Sequence, residues 1–151
     1  MKEQTKNQLI LIGRIMAGSL FFFSGLSKLS QPSEFFEVAI NFYEIVPYSF
    51  VHGAAIIIPW VELIFGTFLL LGYCQHISAG ILLGLTAIFQ MVLAQAHIRQ
   101  LPVDECGCFG GGLVHLTLLQ SFALDTFLAL VLIQVATSNF KGYSLDKWAY
   151  R

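Results

Sequence analysis

The sequence predicts an all-α protein, a four-helix transmembrane bundle with an additional amphipathic interfacial helix between spans one and two. Three observations predict it: a composition too apolar to clothe a water-facing surface, four apolar runs of membrane-crossing length, and one stretch between the first two in which aromatic and acidic residues interleave. Of 151 residues, 56% are hydrophobic and 11% are charged, whereas soluble domains carry roughly 25% charged residues. Mean hydropathy is +0.73. The net charge of -1 lacks the Lys/Arg concentration that nucleic-acid binders place on one face, so lipid is an expected contact and nucleic acid is not. Residues 1–151 read as a single integral membrane domain.

The first run spans Leu9 to Leu26, opened by Lys2-Glu3-Gln4-Thr5-Lys6-Asn7 and closed by Ser27-Lys28. It lacks the short apolar core and small-residue cleavage site of a secretory signal and reads as a retained helix. Between Ser30 and Ser49, Phe35, Phe36, Ala39, Ile40, Phe42 and Tyr43 alternate with Glu34, Glu37, Asn41 and Glu44. That pattern predicts a helix lying in the interface, begun near Pro32 and ended at Pro47. The second span runs from Val51 to Gly72, the third from Ile77 to Ala96 and the fourth from Leu113 to Ala136. Each covers about 30 Å or more, enough for a typical hydrocarbon core. The turn Tyr73-Cys74-Gln75-His76 is short enough to force spans two and three into antiparallel contact.

Lys and Arg in short loops prefer the cytoplasm. Lys2, Lys6 and Arg14 at one terminus share a side with Lys141, Lys147 and Arg151 at the other, while the opposite side carries Lys28 and Arg99 among Glu34, Glu37, Glu44, Asp104 and Glu105. Both termini are therefore expected in the cytoplasm. This puts Cys74 inside and the loop from His97 to Gly112 outside, so Cys74 is expected to remain a thiol.

That loop holds Asp104-Glu105-Cys106-Gly107-Cys108-Phe109-Gly110-Gly111-Gly112. Two cysteines one residue apart fall within the Cα separation of a disulfide if the chain bends between them, and Gly107 permits the bend. A bridge closing so small a ring is strained, and strained, exposed disulfides are the exchange-competent kind. The glycines after Cys108 leave the backbone open to a partner. Asp104 and Glu105 raise a nearby thiol pKa by like charge, and the N-terminus of the fourth span lowers it. Competing accounts are a static bridge or a pair of inert thiols, and a soft-metal site completed by His97 or His115. Cys106 and Cys108 are the candidate catalytic pair, and no metal is assigned.

Ionisable residues at membrane depth are paired or used. Glu62 and Asp125 lie near the middles of the second and fourth spans, with Arg14 a turn or more inside the first. They form either a proton relay accompanying thiol chemistry or, with Gln90 and Gln120, a polar lock that sets helix register. Lys28 reads as an anchor at the outer interface. The small residues Gly13 and Ala17, and Gly80 and Gly84, sit four apart, a spacing that permits close helix approach.

The chain resembles the MauE branch of the DoxX-like membrane proteins, named for methylamine-utilisation clusters. The resemblance rests on Phe23-Ser24-Gly25 with Lys28, on Tyr43 and Pro47, and on Pro59-Trp60-Val61-Glu62 with Gly66 and Gly72. The loop Cys106-Gly107-Cys108-Phe109-Gly110 completes it. It implies a four-helix protein of the bacterial inner membrane that works beside a periplasmic thioredoxin-like partner in handling disulfides, with Cys106 and Cys108 as the redox residues. The wider group includes a quinone-linked thiosulfate oxidoreductase component, which makes a quinone the conceivable cofactor, although no quinone motif is present. The leading expectation is a thiol-disulfide oxidoreductase component. The alternatives are a non-catalytic assembly factor for a secreted enzyme and a quinone-linked redox subunit.

Overall fold

A computed structural model describes residues 2–30, 48–99 and 118–138. Over them the chain forms four helices, α1 (Lys2–Leu29), α2 (Tyr48–Leu71), α3 (Gln75–Ile98) and α4 (Leu118–Thr137), and no strand is present among the described residues. Each contains a segment long and apolar enough to cross a membrane: Asn7–Leu29, Phe50–Leu71, Gln75–Gln95 and Leu119–Thr137. The amphipathic segment expected between spans one and two falls on residues 31–47, outside the described residues, as does the start of the fourth expected span at Leu113.

Hydrophobic burial does not separate a helix from lipid, so close packing and polar contacts set the arrangement. One row of buried positions on α1 runs Ile10, Arg14, Ala17, Phe21, Ser24 and Lys28, with Ser27 buried beside it, and one on α4 runs Ser121, Asp125, Leu128, Leu132 and Val135. Both alternate steps of three and four residues, the seam of left-handed helix packing. The opposite faces show Leu9, Ile12, Met16, Phe127 and Leu130 to the surroundings, as lipid-facing surfaces do. Trp60 is also exposed there, facing outward on α2 rather than into a cavity.

The most extensive contact joins α1 to α2, followed by α3 to α4. Glycines explain the first. A Cβ on Gly25 would lie 2.7 Å from the Leu63 nitrogen and 2.8 Å from the Pro59 oxygen, and one on Gly66 would lie 2.8 Å from the Phe22 nitrogen. The two backbones touch through these positions. Gly13 also meets a neighbour, with Val131 Cγ1 at 3.0 Å, but Gly80 and Gly84 have nothing within 4 Å. The small-residue pair expected to bring span three close therefore faces open space.

Between α2 and α3 the chain reverses through a Schellman motif. Gly72 (φ 68°) donates to Leu69 at 3.2 Å and Tyr73 donates to Phe68 at 2.8 Å, so two of the last four carbonyls of α2 are satisfied. The rings of Phe68 and Tyr73 meet edge to face at 5.3 Å, the apolar contact that accompanies the motif. Cys74, at φ 45° and ψ 47°, then starts α3 from a left-handed conformation.

Candidate functional site

The seam carries polar side chains in two separate layers. The first sits at the end where α2 turns into α3. Arg14, buried on α1, donates to Gln75 Oε1 at 3.3 Å, and Gln75 Nε2 donates to the Val135 carbonyl at 3.3 Å and to Ser138 Oγ at 3.4 Å. His76 Nδ1 lies 2.7 Å from the Ala136 carbonyl. A carbonyl only accepts, so Nδ1 carries the hydrogen. Together Gln75 and His76 satisfy carbonyls that the C-terminus of α4 leaves without helical partners. This layer is a capping device.

The second layer lies deeper. Glu62 is about 21 Å along α2 from Tyr48 and about 14 Å from Leu71 at 1.5 Å per residue. Its carboxylate accepts Lys28 Nζ at 2.7 Å on Oε1 and 2.8 Å on Oε2, and Ser24 Oγ donates to Oε2 at 2.9 Å. The ammonium also stands 5.1 Å from the centre of the Phe89 ring on α3, within cation–π range. Lys28 is 4% exposed and Glu62 1%. Lys28 is thus an interior residue and not the interfacial anchor expected from its place at the end of an apolar run. Its pairing with Glu62 means that α2 continues about 21 Å beyond the end of α1.

Asp125 faces the same layer from α4. It is 8% exposed and interacts electrostatically with both Lys28 and Glu62. Asp125 Oδ2 and, one turn earlier, Ser121 Oγ are buried without a hydrogen-bond partner. Such groups are rare in folded proteins and call for an explanation.

Of the residues singled out by sequence, Glu62 and Asp125 come together, while Arg14 belongs to the capping layer about 21 Å from Lys28 along α1. Gln90 bonds Thr126 Oγ1 at 2.9 Å, tying α3 to α4, and Gln120 is exposed. Sequence reasoning missed Lys28 as the partner of Glu62. The available signal was Ser24, Ser27 and Lys28 at helical spacing, a polar face on a membrane span, which packs inward. Cys106 and Cys108 lie outside the described residues. Cys74 is half-buried and outside any disulfide. Among the described residues no cluster of three His, Cys, Asp or Glu side chains could hold a metal ion.

No curated protein and no solved structure matches the chain. Residues 6–138 match the family described as Methylamine utilisation protein MauE, a range that takes in all four apolar helices and the Cys-Gly-Cys connection. With four helices able to span a bilayer and a family match over most of its length, this multi-pass membrane chain belongs to the MauE family.

Proposed function

We propose that this protein is a thiol-disulfide redox component of the bacterial inner membrane, serving methylamine utilisation by exchange between Cys106–Cys108 and a periplasmic thioredoxin-like partner. The observation that carries the reading is the Cys-Gly-Cys pair in the connection between α3 and α4. These helices pack side by side, so both ends of that connection emerge at one end of the bundle, the end toward which Lys28 and Asp125 lie. Membership of the MauE family supports the same setting.

In the exchange, a thiolate of a reduced pair attacks one sulfur of its partner's disulfide. The second sulfur leaves as a thiolate and takes up a proton, and the resolving cysteine then displaces the mixed disulfide. One dithiol is oxidised and one disulfide reduced, so electrons and protons balance with no further reactant.

Both termini are assigned to the cytoplasm. Burial of Lys28 in an ion pair and of Arg14 in the capping layer removes one cation from each side of the tally, and the positive bias toward the terminal side remains. In intact cells, after reduction, an impermeant thiol reagent should label Cys106 and Cys108 and spare Cys74. Replacing one cysteine of the pair by Ser should accumulate a mixed disulfide with the partner, and replacing the other should abolish it. Full partner turnover by both variants would refute the assignment.

A further inference from the structure

Among the described residues, the buried layer around Glu62 brings together one cation and two carboxyls. Lys28 comes from α1 and Glu62 from α2, while α4 adds Asp125. The described part of α3 contributes no ionisable side chain between His76 and His97. Lys28 and Glu62 satisfy each other with two contacts of 2.7 and 2.8 Å. Among the described residues Asp125 is then the carboxyl of this layer that no cation touches, with Lys28 acting on it only at a distance, at membrane depth where an uncompensated charge is strongly disfavoured.

Two further atoms mark the same place. Asp125 Oδ2 and Ser121 Oγ are both buried without hydrogen-bond partners, and residues four apart share one helix face. They are two oxygens on one face, beside a charge that needs neutralising. From the charge count and these two oxygens, we infer that Asp125 is a proton-binding site of the bundle, with the Lys28–Glu62 pair as its fixed electrostatic background and Ser121 as the neighbour that orients the carboxyl.

A proton is the cation that fits. Alkali ions need a shell of several oxygens, whereas a proton needs one carboxyl oxygen. Glu62 is not equivalent, because Lys28 and Ser24 engage its carboxylate. Use of the proton rests on the proposed redox function: an attacking thiol must lose a proton and a leaving thiolate must gain one, and Asp125 supplies a buried acceptor and donor toward the end of the bundle that bears the dithiol connection. Existence of the site does not depend on that function.

Infrared spectroscopy of the full chain in lipid nanodiscs tests the site without using the cysteines. With carboxyl-13C aspartate incorporated, the carbonyl stretch of a protonated aspartic acid should appear at neutral pH and move with the label. It should persist when Asp104 and Asp146 are both changed to Asn, vanish in Asp125→Asn, and change frequency in Ser121→Ala. The labelled parent chain carries the test if Asp125→Asn fails to fold. Absence of a label-sensitive acid band in the parent at neutral pH overturns the inference. So does a melting temperature that rises with sodium but not with choline at equal ionic strength, which assigns a metal cation to the site. Because no cysteine is read, a failed disulfide-trapping experiment leaves this result standing, and the reverse also holds.

Discussion

Removing Lys28 or Glu62 alone should be far more damaging than removing both. In Lys28→Met the Glu62 carboxylate keeps only Ser24 among its three contacts of 2.7, 2.8 and 2.9 Å. In Glu62→Leu the Lys28 ammonium, beside Phe89, loses both of its contacts to the carboxylate. Stranding one partner of a buried pair costs about 3–5 kcal/mol, whereas exchanging both for apolar residues of similar volume is often neutral or stabilising. At about 1.4 kcal/mol per factor of ten, each single variant should lower the folded-to-unfolded ratio by about two to four orders of magnitude. The double variant should return close to the parent, so the two single costs no longer add and the coupling is about 6 kcal/mol or more, well above the ~0.6 kcal/mol average of interhelical polar contacts in membranes. The assay is unfolding by SDS in mixed micelles, followed by far-ultraviolet circular dichroism across all four members of the cycle. Additive single effects, with coupling under about 1 kcal/mol, would show that the pair is an ordinary polar contact and that its burial has been misjudged.

The helix crossing gives a second test: Gly25→Ala should destabilise by about 1–3 kcal/mol through overpacking, because the new methyl meets the backbone of Pro59 and Leu63. Gly84→Ala, in open space, should be neutral or stabilise by up to about 1 kcal/mol through helix propensity. Gln75→Ala removes contacts to Arg14, Val135 and Ser138 and should cost about 1–2 kcal/mol, with the loss seen as faster amide exchange in the last turn of α4. Cys74→Gly relieves a left-handed non-glycine residue and should raise stability by about 1 kcal/mol, measured by the same SDS titration.

The four helices were legible because nothing other than hydrocarbon suits apolar runs of this length. Their ends were less so: α1 reaches back to Lys2, since a helix carries on through polar residues until something stops it. Glu62 and Asp125 stood out for being ionisable at membrane depth, and their side chains do share a layer. Lys28 was misplaced for a physical reason. The end of an apolar run marks a boundary only if the helix reaches the surface there, and the depth of α1 is set by its register against α2, where Gly18, Gly25 and Gly66 allow backbone contact. The same register decides which small residues matter. Spacing of four nominated Gly80 and Gly84, but closeness depends on the facing helix, which no single-chain pattern reveals.

Between the two polar layers the seam is apolar. Ala17 and Phe21 of α1, Leu69 of α2, Ala79 and Leu82 of α3, and Leu128 and Leu132 of α4 form one buried cluster. The hydroxyl of Thr86, also buried, is turned back to the Leu82 carbonyl at 2.8 Å. Among the described residues these side chains offer no donor or acceptor leading from one layer to the other, and an apolar plug of this kind does not carry protons. A carboxyl at Asp125 should therefore equilibrate only with the solution at the α3–α4 connection. In liposomes of one protein orientation, the Asp125 acid band should follow the pH on that side and ignore the pH on the side of Arg14, and turnover of the dithiol should leave a dye trapped across the membrane unchanged. If the band instead follows the Arg14 side, the plug conducts, and the capping layer has to be counted as part of a transmembrane proton path.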